Sequence, residues 1–234
     1  ASPCVALRVV VVGLNKQSRN HINALLQSRE ARLVALCDVD ENVLALRAKA
    51  CADAGVQVKQ HWDYRSLLES SDVDAVILAT PNHWHTLQTI WGVQAGKHVY
   101  VEKPLSHDIW EGTQVVAAAQ RHPRIVVQAG TQSRSSRDIV AATVWLRAGH
   151  LGRIRWVRCL CYNERLSIGR VAAPQSVPPG IDYDLWSGQA DLVAPSRNTP
   201  ENGTVHYDWH WIWNYGRGDI VNQAFIKWMR RVGS

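Results

Sequence analysis

The first 130 residues alternate short apolar runs with amphipathic stretches. Residues 7–12 (LRVVVV) form an almost unbroken apolar run, the pattern of a strand covered on both faces. Gly13-Leu14-Asn15 reads as a turn, and residues 18–29 as a helix with Ile22, Leu25 and Leu26 on its apolar side. A second strand, 33–37, ends in Asp38, and Asp40 caps a helix over 41–53. The same reading gives a weak strand at 56–58, a helix at 63–69 and a strand at 74–79. It then gives a helix at 85–95 closed by Gly96, and a strand at 98–101. A helix opening at Ser106 or His107 runs to about residue 120, and a strand follows at 125–128. Regular strand–helix alternation predicts an α/β fold built on a doubly wound parallel sheet.

After Gly130 the pattern changes, which places a domain boundary near residue 131 and a second domain over 132–234. Residues 136–148 read as a helix closed by Gly149, and 154–162 as a long alternating strand. Residues 172–218 are irregular and rich in Pro, Trp and Tyr, and Trp209, Trp211 and Trp213 alternate so as to share one face. Apolar residues make up 46% of the 234-residue chain and charged residues 20%, the balance of a globular protein with a real core. No apolar run approaches the roughly 20 residues of a membrane span. The net charge of +6 is scattered, so no nucleic-acid partner is expected. Of five cysteines, Cys37 and Cys159 fall inside apolar strand patterns and read as buried thiols. Cys159-x-Cys161 has no second pair to complete a metal site.

Candidate chemistry lies at strand ends, because open α/β sheets bind ligands at the carboxyl edge of their strands. The first turn, Gly13-Leu14-Asn15-Lys16-Gln17-Ser18, keeps one glycine of a G-x-G-x-x-G dinucleotide loop. Asn15 tolerates a left-handed backbone, Ser18 is small, and Lys16 or Arg19 could bring positive charge to a phosphate. Asp38, about 25 residues on, stands where an acid accepts hydrogen bonds from an adenosine ribose. Asp40 suits helix capping better, which frees Asp38 for the ribose. Acidic neighbours and the lack of an adjacent Arg favour NAD over NADP. Glu102-Lys103-Pro104 directly follows a buried strand, so Lys103 is placed to hold charge on a substrate oxygen and Glu102 to orient it. Pro81-Asn82-His83-Trp84-His85 ends the preceding strand. His83 and His85 are open to three readings, as ligands, acid–base groups or helix-start residues, and no metal site is assigned. Trp84 either lines a pocket or packs.

These residues together resemble the glucose–fructose oxidoreductase, inositol dehydrogenase and rhizopine-catabolism (Gfo/Idh/MocA) oxidoreductases. The resemblance rests on Gly13, Asp38, the run Ala79–His85, Glu102-Lys103-Pro104 and the run Val127–Arg134. Residues 179–186 and 209–220 add to it. It implies an N-terminal Rossmann domain followed by an α/β domain with a large open sheet, NAD(H), and a sugar or polyol-like substrate. It further implies that Lys103 is catalytic and that Thr80, Pro81, Asn82, His85, Glu102 and Gln128 join Gly13, Asn15, Ser18, Arg19 and Asp38 at the cofactor. Homo-oligomers of the family form through the open sheet, most of which this chain lacks.

Two departures stand out. The phosphate loop lacks the glycines usual between Asn15 and Ser18. After Ile220, where relatives carry a catalytic His in a segment like Gly-Ile-His-Gln-Met-Asp, this chain reads Ala224-Phe225-Ile226-Lys227-Trp228-Met229. Deleting one base from codons for the former yields the latter. Eleven Trp stand against one Phe and one Met, both of which fall after residue 224. The expectation is an out-of-frame tail from about Ala224 and an incomplete C-terminal domain prone to aggregate. The chain begins Ala1-Ser2-Pro3, which reads as a processed or partial chain, and its compartment stays open between cytoplasmic and exported. Three functions follow: an NAD-dependent oxidoreductase, an NAD-dependent glycosidase, or an inactive NAD-binding remnant.

Overall fold

The computed structural model describes residues 6–158, 160, 173–196, 209 and 212–216. Six strands form one parallel sheet: β1 (Leu7–Val12), β2 (Ala31–Cys37), β3 (Lys59–His61), β4 (Ala75–Leu78), β5 (His98–Glu102) and β6 (Val127–Gly130). Their order is β3-β2-β1-β4-β5-β6, so the chain reverses direction across the sheet between β1 and β4. That reversal opens a crevice beyond the carboxyl ends of the strands.

The sheet forms because its central strands are apolar on both sides. Val10 and Val12 of β1 join one core layer with Val76, Leu78, Val99 and Val101, while Val11 joins the opposite layer with Leu14, Leu33, Leu36 and Leu44. Period-two side-chain alternation splits consecutive valines between the layers. Each such buried side chain contributes about 1.5–3 kcal/mol of transfer free energy.

Helices α1 (Ser18–Gln27), α2 (Glu41–Asp53), α3 (Tyr64–Leu68), α4 (Asn82–Gln94) and α5 (Ile109–Arg121) connect the strands. Asp40 caps α2 by accepting from the Asn42 and Val43 amides, as expected. The cap of α5 is Asp108, not Ser106 or His107. Helix α4 starts three residues before the expected His85, immediately after Pro81, which draws His83 and Trp84 into its buried first turn. Strand β3 falls at 59–61 instead of 56–58, and β6 begins two residues later than expected.

Beyond residue 131 the described residues hold a 3-10 turn (Gln132–Ser135), α6 (Arg137–Arg147) and α7 (Tyr183–Ser187), with no strand among them. The strand expected at 154–162 is absent over its described part, residues 154–158 and 160, and no described strand pairs with them. Cys159 and Cys161 lie outside the described residues, whereas Cys37 and Cys51 are buried free thiols. Of the tryptophans expected to share one face, the two described, Trp209 and Trp213, do not share it. Residues 212–216 are turn-like, Trp209 packs beside an aromatic cluster, and Trp213 is 69% exposed. Trp211 and the tail from Ala224 lie outside the described residues. No described helix is long and apolar enough to cross a membrane.

The segment around α7 lies across the carboxyl edge of the sheet. Ile181 forms an antiparallel bridge with Asp40, Glu41 donates to the Gly180 carbonyl (2.8 Å) and Asp182 to the Val39 carbonyl (3.1 Å). At its other end the Trp186 carbonyl accepts from His83 Nε2 and Trp84 Nε1, both at 3.0 Å. Gly188 is required here, since a Cβ would stand 2.2 Å from the Trp84 ring.

Candidate active site

One crevice of about 360 Å³ gathers the loop after β1, the tips of β2, β4 and β5, and the α7 segment. Gly13, Asn15, Asp38, Thr80, Pro81, Asn82, His85, Glu102 and Lys103 all line it. Ser18, Arg19 and Gln128, also expected at the cofactor, do not. Ser18 is fully buried, and its hydroxyl donates to the Asn15 carbonyl, bracing the loop from behind. Arg19 sits near Arg47 outside the crevice. Gln128 pairs with Tyr100 and lines a separate depression along the β5–β6 edge, because β6 starts later than its apolar pattern suggests. Gln132 takes its place in the crevice.

Gly13 has φ +79°, and a Cβ there would come within 2.6 Å of the Thr80 amide nitrogen. It is the close-packing glycine of the turn, set against β4's exit. Asp38 follows β2. Its Oδ2 accepts from the Leu14 amide (2.6 Å) and its Oδ1 from the Asp40 amide (2.9 Å). Burial raises its carboxyl from 3.8 to about 6, against the pull of those amides. Each oxygen retains a lone pair, and the side chain is partly open to the crevice.

Glu102 ends β5 and is buried. Its partners are not the Lys103 ammonium. His21 Nε2 lies 2.9 Å from Oε1, Gln132 donates to both oxygens (2.9 and 3.0 Å), and Gln17 donates to Oε1 at 3.3 Å. Only the backbone amide of Lys103 reaches Glu102, at 3.3 Å. Burial pushes the Glu102 carboxyl up, but hydrogen bonds from His21 and Gln132 outweigh it and hold it below the usual range. The expected role of Glu102 as the partner orienting the lysine side chain is therefore corrected. It anchors α1 and the segment after β6 to the tip of β5. Lys103 projects from that anchored tip. Its side chain is exposed, and no described residue pairs with its ammonium.

The two histidines of the β4 exit are buried. His85 stands between the Pro104 carbonyl (Nδ1, 2.6 Å) and the Thr80 carbonyl (Nε2, 2.8 Å). As a neutral imidazole it donates to one of these two carbonyls, and its ring fills the space between the two loops beside Lys103. Burial lowers its pKa, with both carbonyls working in the opposite direction. His83 packs against Trp186 and Tyr215, and burial takes it down to about 4. No group of three metal-ligating side chains occurs among the described residues. Trp84 and Trp186 line the crevice as well as packing. His21, Gln17 and Gln132 escape the sequence reading because they lie 30 to 85 residues from Glu102.

The model of the oxidoreductase family with an NAD-binding Rossmann fold, Gfo/Idh/MocA, matches residues 7–131. The chain belongs to that family. It is 34% identical over 163 residues, 69% of this chain, to inositol 2-dehydrogenase 1 of Saccharopolyspora erythraea. It is 31% identical over 124 residues, 50% of this chain, to a glycosyl hydrolase family 109 protein of Shewanella. Among solved structures, scyllo-inositol dehydrogenase of Lactobacillus casei with bound NAD(H) and scyllo-inositol superposes with a TM-score of 0.58. That protein is 25% identical, with 63% of this chain and 43% of the neighbour covered. The chain spans 47% of the length of the Saccharopolyspora enzyme and 27% of the glycosyl hydrolase.

Proposed function

We propose that the crevice binds NAD(H) and serves hydride transfer to or from a ring carbon bearing a hydroxyl, in an inositol-like polyol or sugar. The observation that carries this reading is the placement of an acceptor, Asp38, and an ammonium, Lys103, along the same crevice with the Gly13 turn between them. Asp38 accepts the adenosine ribose hydroxyls. The amides of the β1–α1 turn face the pyrophosphate, and Lys103 holds the substrate oxygen as its charge grows; the hydroxyl proton passes to water on oxidation, and the oxygen takes one from water on reduction. The cofactor supplies the hydride acceptor, and the chain orients it and screens the reacting carbon. Likeness to inositol dehydrogenases, one of them solved with NAD(H) and scyllo-inositol, supports this substrate class.

The test is a panel of inositols and aldoses assayed with NAD and NADP for production of reduced nicotinamide. Turnover with NAD and a cyclic polyol is expected. A 2′-phosphate would meet the Asp38 carboxylate, so NADP turnover falls below NAD turnover. Likeness to a family 109 glycosyl hydrolase supports a second reading, an NAD-dependent glycosidase. Sugar release from a glycoside without net NADH selects it. Binding without turnover on either panel leaves a cofactor-binding remnant.

Asp38 makes the cofactor pH-sensitive. Its free carboxyl titrates at about 6. Ribose hydroxyls stabilise the ionised form, so binding lowers that pKa and releases a proton. ADP-ribose affinity is therefore steady above pH 6 and falls as pH drops below it, by up to about tenfold per pH unit. Calorimetric titrations from pH 5 to 8 measure this. Asp38→Asn should flatten the profile, and a flat wild-type profile would contradict the role.

A further inference from the structure

The β1–α1 turn carries side chains where a dinucleotide loop has its later glycines, yet it is held in one conformation from both sides, by Arg47 outside the crevice and Asp38 within it. Arg47, on α2, donates from Nε to the Leu14 carbonyl (2.9 Å) and from Nη2 to the Asn15 carbonyl (3.3 Å). From the other side, Asp38 accepts the Leu14 amide at 2.6 Å, and the Leu14 side chain is fully buried. Leu14 is thus fixed at its amide, its carbonyl and its side chain.

A peptide group is planar, and its C=O and N–H point in opposite directions. Arg47 does not line the crevice, whereas Asn15, Lys16 and Gln17 do. Drawing the Leu14 and Asn15 carbonyls toward α2 therefore turns the Asn15 and Lys16 N–H groups the other way. Without Arg47, the same two carbonyls are free to swing toward a bound anion and repel it. Glycines normally permit this backbone arrangement by themselves.

We propose that Arg47 is a positioning residue for the pyrophosphate of an adenine dinucleotide, fixing from behind a turn that keeps only its first glycine. This rests on the reading of the crevice as an NAD(H) site. The sequence gives no hint of it, because Arg47 lies on the second helix, 32 to 33 residues from the carbonyls it holds.

The experiment compares the full chain with Arg47→Met for NADH, NADPH and ADP-ribose by calorimetry, and for adenosine by ligand-observed nuclear magnetic resonance. R47M should weaken NADH and ADP-ribose by at least about tenfold and leave adenosine within about threefold. Unchanged NADH binding in R47M overturns the proposal. So does an equal loss of adenosine, which reports a general distortion, or a loss confined to NADPH, which makes Arg47 a reader of the 2′-phosphate. If R47M does not fold, Arg47→Gln is measured instead, and NADH binding equal to wild type overturns the proposal. Failure of the wild-type chain to bind NADH and ADP-ribose sinks the NAD(H) reading itself, and the role of Arg47 with it.

Discussion

Replacing Lys103 with Met lowers the turnover number by about 10²–10³, the loss typical of removing one donor that stabilises a developing oxyanion. The affinity for NADH should change by less than about threefold, because in the proposed reading the adenosine and pyrophosphate would lie along other parts of the crevice. The side chain has no described partner, so its loss exposes no buried charge. Glu102 keeps His21 and Gln132, and the tip of β5 stays anchored. The check is steady-state kinetics on the best substrate, with parallel NADH titrations and thermal melts. A variant that turns over like wild type removes Lys103 from the chemistry. One that melts early or loses NADH binding assigns it to structure.

Substituting Gly13 with Ala should be the most disruptive single change in the turn. Two costs add. The backbone sits at φ +79°, where a Cβ costs about 1–2 kcal/mol. The new methyl would also lie 2.6 Å from the Thr80 nitrogen and 2.7 Å from the Ala79 carbonyl carbon, so rigid backbone must move. Overpacking of that kind costs about 1–3 kcal/mol more. At about 2–4 °C per kcal/mol for a chain of this length, the melting temperature should fall by about 4–20 °C. NADH binding should be lost as the turn opens. Gly55→Ala is the control. It has the same sign of φ, at +80°, but nothing within 4 Å of the added Cβ. Only the smaller, conformational cost should appear there. Equal melting temperatures for the two variants would mean that the contact with β4's exit does not hold the turn.

The sheet was legible where burial dictates the residue type. Strand β1 coincides with its predicted range because a strand covered on both faces needs an unbroken apolar run. Strand β3 was misplaced because it is an edge strand made of Lys59, Gln60 and His61, which carry no apolar signal, while Val56 and Val58 lie outside it. The start of α4 was read too late because the polar residues Asn82, His83 and His85 read as loop. In the fold all three are buried, and His83 and His85 stand against the carbonyls of Trp186 and Pro104, far away in sequence. The crevice divides in the same way. Gly13, Asp38 and Lys103 were visible because strand ends and local spacing mark them. The partners of Glu102 were not, since folding alone brings α1, β5 and the segment after β6 together. Nor was the α7 wall, whose Ile181, Leu185 and Trp186 close the crevice through backbone bridges to Val39, Asp40 and Glu41.

The account stands on one arrangement: a dinucleotide lying from Asp38, past the Gly13 turn, to Lys103. A crystal structure of the chain with NADH tests it most directly. The account predicts adenosine ribose hydroxyls on the Asp38 carboxylate, the pyrophosphate against residues 15–17, and the nicotinamide beside Lys103 with its amine turned toward the reacting carbon. A dinucleotide bound elsewhere, or a Lys103 amine directed out of the crevice in that complex, would contradict it.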